Sequence, residues 1–241
     1  MTVPTAQLSH LHRADGSATY SQAGYSVVGA VNGPIEVQRR DELPEEAAIE
    51  VNIRPAIGVG STKERHLESI LHSTLRHVIL IHNYPRTLIQ ITLQIISTPE
   101  DESAFGKHSS LSVLPSLLQT SVLALLSASI PLAMTFTSTV IAVMSSKKLE
   151  ANPSAKSLAQ ASSVHVFAFS STGHLLVVES EGSFDLDTWD TVCAKAESIC
   201  CSPKEDGDQM DDDASSENLQ TFLKQAMEKK VERDMRWKQQ S

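Results

Sequence analysis

Cysteine is scarce in this chain of 241 residues, which contains three: Cys193, Cys200 and Cys201. A small, odd number of cysteines favours a reducing compartment over a disulfide framework. The N-terminus also lacks the basic and apolar regions of a secretory signal peptide, so we expect none. Cys193 and Cys200 are seven residues apart, which places them on one face if the segment is helical. We interpret them as small packing residues rather than as a redox or metal-binding pair.

Charged residues are missing from the whole stretch between Lys107 and Lys147. This stretch is longer than the roughly 20 residues that a helix needs to cross a bilayer. It contains 14 serine and threonine residues, is interrupted by Pro115 and Pro131, and lacks the aromatic and basic flanks of a membrane span. The composition therefore favours a helix buried on all sides, followed by a buried strand, over a membrane span.

The net charge of −9 is concentrated in one segment. Residues 202–218 contain seven acidic residues and one lysine, and the rest of the chain has 19 basic and 22 acidic residues. A nearly neutral body does not predict general binding to nucleic acid, so any contact with RNA must be local. The acidic segment has too few apolar residues to fold alone and is predicted to be a flexible linker. Residues 219–241 are predicted to form a basic amphipathic helix packed on the body or on a neighbouring chain.

Hydrophobic periodicity predicts groups of strands separated by helices. Period-two or β-rich patterns predict strands at 8–12, 17–20, 25–31, 47–54, 88–97, 135–144, 162–170 and 175–180. Helical spacing predicts helices at 61–82, 114–129, 185–201 and 219–241. Asn32-Gly33-Pro34 is expected to end the third strand, and Ser61 with Glu64 has the spacing of a capping box at the first helix. This order predicts an α+β fold with one domain at 1–201.

The common motifs of nucleotide, metal and serine chemistry are absent or incomplete. The segment Gly58-Val59-Gly60-Ser61-Thr62-Lys63 lacks the Gly-Lys pair that a phosphate loop has before its hydroxyl residue. His10 with His12, and His72 with His77, have no cluster of cysteines or acids nearby in sequence to complete a metal site. A Gly-x-Ser-x-Gly elbow is also missing. We therefore expect no cofactor and no bound metal.

Three short segments carry a resemblance to a known family. They are Arg13-Ala14-Asp15-Gly16-Ser17-Ala18, Gly29-Ala30-Val31-Asn32-Gly33-Pro34-Ile35-Glu36 and Tyr84-Pro85-Arg86-Thr87-Leu88-Ile89-Gln90-Ile91. In this order and at these distances they resemble the ribonuclease-PH-like subunits of the eukaryotic RNA exosome ring. The resemblance spans about residues 8–201 and implies the RNase PH-like fold (ribosomal protein S5 domain 2-like), in which mixed sheets pack with helices.

The same resemblance implies that the family's catalytic groups are missing. In active members a turn with an acid, two glycines and an arginine holds phosphate, and here Leu114 falls about where the arginine would be. Lys63 falls near a second phosphate-binding arginine, and lysine keeps the charge but loses the bidentate geometry. Asn152 and Leu158 fall at the two catalytic aspartates, and neither side chain can exchange a proton. We therefore expect that the chain is not an enzyme.

The resemblance further implies a structural role in a ring. Such subunits form heterodimers with a second ribonuclease-PH-like chain, three pairs close a hexameric ring, and S1/KH-type subunits cap it. The ring channels single-stranded RNA to a separate processive hydrolytic exoribonuclease, in RNA degradation and ribosomal RNA processing in the nucleus, nucleolus and cytoplasm. In the family the loop at 58–65 faces the channel, so Lys63 and Arg65 are the first candidates for RNA contact and Arg86 is a weaker one.

Two other functions stay open from the sequence. Glu100, Asp101 and Glu102 cluster near the expected site and would suit a divergent phosphorolytic or metal-dependent 3′–5′ exoribonuclease. The basic segment 219–241 would instead suit an RNA-binding scaffold that works outside the exosome. Activity of the isolated chain would favour the first function, and loss of RNA binding after deletion of the segment would favour the second.

Overall fold

The computed structural model describes residues 4–99, 110–146, 148–201 and 218–239. Its strands are β1 (Thr5–Leu8), β2 (Gly16–Gln22), β3 (Tyr25–Glu36), β4 (Ala48–Arg54), β5 (Thr87–Ser97), β6 (Phe136–Met144), β7 (Leu149–Ala151), β8 (Ala161–Ser170) and β9 (Leu175–Gly182). Its helices are α1 (Thr62–Val78), α2 (Leu114–Ser127), α3 (Ala155–Gln160), α4 (Leu186–Cys200), α5 (Leu219–Asp234) and α6 (Arg236–Gln239). The acidic cluster at 100–102 and nearly all of the predicted linker, 202–217, lie outside the described residues.

The strands in these ranges form two sheets. In the first sheet the order is β1-β2-β3-β5-β4, with all neighbours antiparallel except β4 and β5, which are parallel. In the second sheet the order is β7-β6-β8-β9, and all neighbours are antiparallel. The parallel pair is joined by α1, because a parallel connection needs a long crossover. This arrangement confirms the predicted α+β fold of mixed sheets packed with helices.

The uncharged stretch of the sequence contains the central helix α2. This helix packs against β2 and β3 of the first sheet and against β6 of the second. Almost all of its side chains are buried, and the hydroxyls of Thr120 and Ser121 donate to the backbone carbonyls of Ser116 and Leu118 within the helix. Burial on all sides therefore explains why a charged residue is not tolerated here. Among the described residues, no helix is long and apolar enough to cross a membrane.

The capping box predicted at the start of α1 is present. Ser61 has an extended backbone, and its side chain accepts a hydrogen bond from the helix while the Glu64 carboxylate accepts the Ser61 N–H at 2.6 Å. The helix ends at Val78, before the predicted end at residue 82, because Ile79 is already extended with a ψ of 137°. The apolar face of α1 packs against β4, so the capping box fixes where this helix starts above the edge of the first sheet.

Two strand boundaries near the N-terminus differ from the prediction. β1 ends at Leu8, where the strand predicted at 8–12 would begin, because Ser9 has a φ of 56° and the chain turns there. β3 continues to Glu36 through Asn32-Gly33-Pro34, the segment predicted to end it, with an irregular register against β5. A bulge of this kind lets a strand absorb turn residues without losing its pairing.

β7 and α3 are absent from the sequence prediction because each is too short to carry a periodic pattern. β7 pairs with three residues at the end of β6. α3 is capped by Ser154, whose side-chain oxygen accepts the N–H of Ser157 at 3.3 Å. These two elements form the connection between β6 and β8.

A second apolar cluster lies between α4 and the second sheet. In it, Phe167 and Phe169 of β8 pack with Val192 and Cys200 of α4, and Cys193 packs at its margin. Burial raises the pKa of the Cys200 thiol to about 12, so the thiol is protonated and unreactive at neutral pH. The structure therefore confirms that the cysteine pair serves packing.

The C-terminal helix α5 packs on the body through its first half. Leu219 and Leu223 are buried, and the rings of Phe222 and Tyr20 meet edge to face with centroids 6.2 Å apart. The second half is exposed, with Val231 half exposed to solvent. The first half of α5 therefore contributes apolar side chains to the core of the described structure.

Candidate nucleic-acid interface

Three exposed cations flank the loop between β4 and α1. Lys63 and Arg65 belong to the first turn of α1, and Arg54 is the last residue of β4. All three are exposed, and none forms an ion pair with another described residue. The sequence predicted Lys63 and Arg65 but missed Arg54, which reads only as the outer face of an alternating strand.

The two nearest carboxylates are engaged by the protein backbone. Glu64 accepts hydrogen bonds from both the N–H and the hydroxyl of Ser61 at 2.6 Å. The Ser61 hydrogen bond is the main reason that the pKa of Glu64 lies below its usual value. Glu68 accepts the N–H of Ile53 at 2.8 Å. These acids thus fix the loop and the helix start, and the charge of Lys63 also helps to lower the pKa of Glu64, although the two side chains form no ion pair.

The loop between β4 and α1 also exposes two aliphatic side chains. Ile57 and Val59 are 92% and 93% exposed. Gly58 has a φ of +85°, and a Cβ placed on Gly58 or Gly60 would meet no atom within 4 Å, so the loop tip stands clear of the body. Exposed apolar residues on a protruding loop are typical of contact surfaces. The sequence offers one signal for this, which is the alternation of glycine with apolar residues.

Arg86 does not join the other candidates. The Nε of its side chain lies 3.3 Å from a carboxylate oxygen of Glu42, and its backbone N–H donates to the backbone carbonyl of Leu43. Arg86 precedes β5, whose first residues lie beside the start of β4, whereas Arg54 pairs with Gln94 at the far end. Six residues of extended strand separate the two ends by about 20 Å. The structure therefore assigns Arg86 a local ion pair and a place away from the cluster of Arg54, Lys63 and Arg65.

The positions that correspond to the family's phosphate and proton chemistry lie near each other. β6 connects them, because the Ser138 hydroxyl donates to the carbonyl of Pro115 at the start of α2, and the Val140 carbonyl accepts the N–H of Asn152. Two strand residues span about 7 Å. The fold therefore joins through β6 the two segments in which the resemblance places catalytic groups.

Two of the positions at which the resemblance places reactive groups are occupied by apolar side chains that pack on the core. Leu114 is fully buried in the main core at the first residue of α2, and Leu158 of α3 packs against the same core. Asn152 has a φ of 49°, a left-handed conformation that asparagine tolerates better than most residues. A buried leucine offers neither charge nor hydrogen bonds, so it cannot hold phosphate where an arginine would.

Sequence reasoning overlooked one carboxylate in this region, Glu150 of β7. It is half-buried and accepts a hydrogen bond from the Ser157 hydroxyl at 3.1 Å. Within the ranges that the structure covers, no group of three or more His, Cys, Asp or Glu side chains could hold a metal ion. Glu100, Asp101 and Glu102 lie outside those ranges.

His165 is the one histidine with an unusual setting among the described histidines, and its role is structural. Its two ring nitrogens lie 2.8 Å and 2.9 Å from the hydroxyls of Ser180 and Ser163. The Phe184 ring packs edge-on against it at 4.6 Å between centroids. Burial lowers its pKa, so the ring is neutral and satisfied inside the second sheet.

Comparisons with known proteins agree with the fold and with the resemblance. Residues 4–131 match the profile of the 3′ exoribonuclease family, domain 1. The exosome complex component RRP46 of Saccharomyces cerevisiae is 41% identical over 125 residues, which are 52% of this chain and 54% of that protein. The exosome complex component rrp46 of Schizosaccharomyces pombe is 38% identical over 120 residues, or 50% and 49% of the two chains. The chain thus matches about half the length of these curated relatives.

Solved structures show the same fold over most of the chain. Rice (Oryza sativa) Rrp46 superposes with a TM-score of 0.71 at 24% identity, covering 80% of this chain and 86% of that one. An archaeal exosome core superposes with a TM-score of 0.65 at 13% identity, covering 82% and 83%. The family match covers more than half of the residues, and the fold and the three sequence segments agree with it. The chain therefore belongs to the 3′ exoribonuclease family with the RNase PH domain.

Proposed function

We propose that this chain is a catalytically inactive structural subunit of an RNA exosome ring. The observation that supports this is the burial of Leu114 and the packing of Leu158 against the core. The resemblance places these residues where active members of the family hold phosphate and exchange protons. Phosphorolysis needs cationic groups on the attacking phosphate and an acid for proton transfer. Asn152 and two leucines supply neither, so the chain contributes shape and surface rather than chemistry.

The absence of catalysis needs a direct test, because some relatives are named as components of a complex and others as exonucleases. The fungal relatives are named exosome complex components, whereas the rice relative, 35% identical over 121 residues, is named an exosome complex exonuclease RRP46 homolog. Purified chain would be incubated with a 5′-labelled single-stranded RNA, with phosphate and with Mg²⁺ or Mn²⁺. We expect no shortened product above a no-protein blank. Shortening that disappears when Glu150, or Glu100 to Glu102, is changed to Gln would establish the alternative, a divergent nuclease.

The proposed RNA contact is the cluster of Arg54, Lys63 and Arg65. Cations that lack acidic partners attract phosphates, and the N-terminus of α1 adds a favourable dipole beside them. Such contacts read no base sequence, which suits a channel that passes any single strand. Arg86, paired with Glu42, is the weaker candidate and would contribute little.

The proposed assembly places this chain among other RNase PH-like chains in a hexameric ring with S1/KH caps. β4 is one of the two outer strands of the first sheet in the described structure, and β9 is one of the two in the second, and such edges favour association. Leu175 and Val178 of β9 are each more than a third exposed, and Ile57 and Val59 are almost fully exposed. A processive hydrolytic exoribonuclease would receive the threaded RNA, in the nucleus, nucleolus and cytoplasm. The residues that the structure describes leave these surfaces exposed, which supports a role in a complex.

A further inference from the structure

A groove of about 380 Å³ lies between the edge strand β1 and the helix α5. Residues 4–8 form its strand wall, and the helix wall includes Phe222, Ala226, Lys229 and Arg233. The groove is separate from the cationic cluster at the start of α1 and from the positions of the family's catalytic groups. The proposed function therefore assigns no ligand to this groove, and a ligand bound there would not depend on that function.

The strand wall presents outward-facing backbone groups. Ser9 N–H donates to the Ser17 carbonyl, and β1 pairs with β2 in a register that sets Leu8 opposite Ala18. In an antiparallel ladder the direction of the backbone groups alternates from one residue to the next. The N–H and C=O groups of Ala6 and Leu8 therefore point away from β2, toward the open side. Arg233 confirms this direction, because its guanidinium donates to the Leu8 carbonyl at 3.2 Å.

The helix wall is cationic at one end and apolar at the other. Lys229, Lys230 and Arg233 line it, and Asp234 is the acidic residue that pairs with this group, at 2.7 Å from Lys230. Three positive charges against one negative charge leave an excess that an acidic ligand would neutralise. Phe222 and Ala226, which are also part of this wall, offer apolar contact one to three helical turns away.

We propose that the groove binds an extended acidic segment of a partner protein, which adds to the free edge of β1 as a further strand. Its backbone would pair with Ala6, and alternate side chains would face α5. Those side chains would be acidic beside Lys229 and Lys230 and small and apolar beside Phe222 and Ala226. The length of β1 limits the paired stretch to about four to six residues.

A peptide fits this wall better than RNA does. A strand edge alternates N–H donors with C=O acceptors, and a peptide backbone supplies the matching acceptor and donor. Phosphates supply acceptors alone, so they would meet the Ala6 carbonyl with no donor to offer. The charge excess selects acidic side chains among peptides, and the apolar end of the groove disfavours a purely ionic ligand.

The test uses the full chain and a capped, fluorescein-labelled ten-residue peptide, with binding followed by fluorescence anisotropy. Every second residue of the peptide, on the face that would meet α5, is glutamate in one half and valine in the other, and the residues between them are threonine. We expect the double variant Lys229→Glu/Lys230→Glu to weaken binding at least tenfold. The matched control Lys224→Glu/Lys238→Glu changes the same charge on the same C-terminal segment but outside the groove, and we expect its affinity to stay within twofold. Thermal melting would verify that both variants are folded.

A second variant tests the strand pairing separately from charge. Ala6→Pro removes the outward N–H and leaves every charge in place, so we expect a loss of at least fivefold. Equal weakening by the groove variant and its control, or displacement of the peptide by an equal concentration of oligouridine, would overturn the proposal. Binding that emerges only after the chain's own acids at 205–217 are neutralised would also overturn it, since the chain's own segment would then be the occupant.

Discussion

The double variant Lys63→Ala/Arg65→Ala tests whether the cationic cluster contacts RNA. Each phosphate contact on a single strand contributes about 0.7 to the slope of log affinity against log salt concentration. Removing two contacts should flatten that slope by about 1.4 and weaken binding about 15-fold at 0.15 M salt. The loss should grow as the salt concentration falls, because counterion release then contributes more. Both residues are exposed and lack acidic partners, so the change should not disturb folding.

The assay would be fluorescence anisotropy with a 20-nucleotide polyuridine and a ring reconstituted with this chain, between 0.05 and 0.5 M salt. The matched control is Arg40→Ala/Arg76→Ala, which removes the same charge from residues already paired with Asp41 and Glu46. We expect the control to leave the slope unchanged. An unchanged slope in Lys63→Ala/Arg65→Ala, or equal changes in the two variants, would refute the reasoning that unpaired cations at this helix start bind phosphate.

Three further predictions concern stability and are checked by urea unfolding of the chain. Ser61→Ala removes the N-cap of α1 and should cost about 1 kcal/mol, whereas the exposed Ser73→Ala on the same helix should cost much less. Leu114→Ala should cost about 2–5 kcal/mol because the side chain is fully buried; a cost near zero would contradict its place in the core. The lowered pKa of Glu64 means that its stabilising effect is full above about pH 4.3, the value of an unfolded glutamate, and is lost as the pH falls through the lower folded value. The stability difference between the wild type and Glu64→Gln should therefore shrink below pH 4, and a constant difference would contradict this cause.

The long elements of the fold could be predicted from sequence because burial imposes a period on them. α2 was identifiable because a helix enclosed by two sheets excludes every charge, and α1 because its capping box fixes its start. β7 and α3 could not be predicted, since three and six residues are too few to show a period. The start of the first strand was misplaced because the turn at Ser9 depends on its backbone angle, which β-rich composition does not reveal.

The candidate interface is only partly predictable from sequence, because it depends on how β4, β5 and α1 are positioned relative to one another. Lys63 and Arg65 are neighbours in sequence, whereas Arg54 lies on the other side of the loop that leads from β4 into α1. Arg86 is excluded from the cluster by the parallel register of β4 and β5, which sequence spacing does not give. The groove between β1 and α5 joins residues more than 200 positions apart, so local patterns carried no sign of it.

The central claim is that this chain works as one subunit of a ring. Native mass spectrometry of the complex recovered with a gently purified, tagged copy tests it most directly. We predict a mass that contains five other RNase PH-like chains together with cap subunits, and loss of single neighbours on mild activation. A bare monomer or a homo-oligomer without such partners would contradict the account.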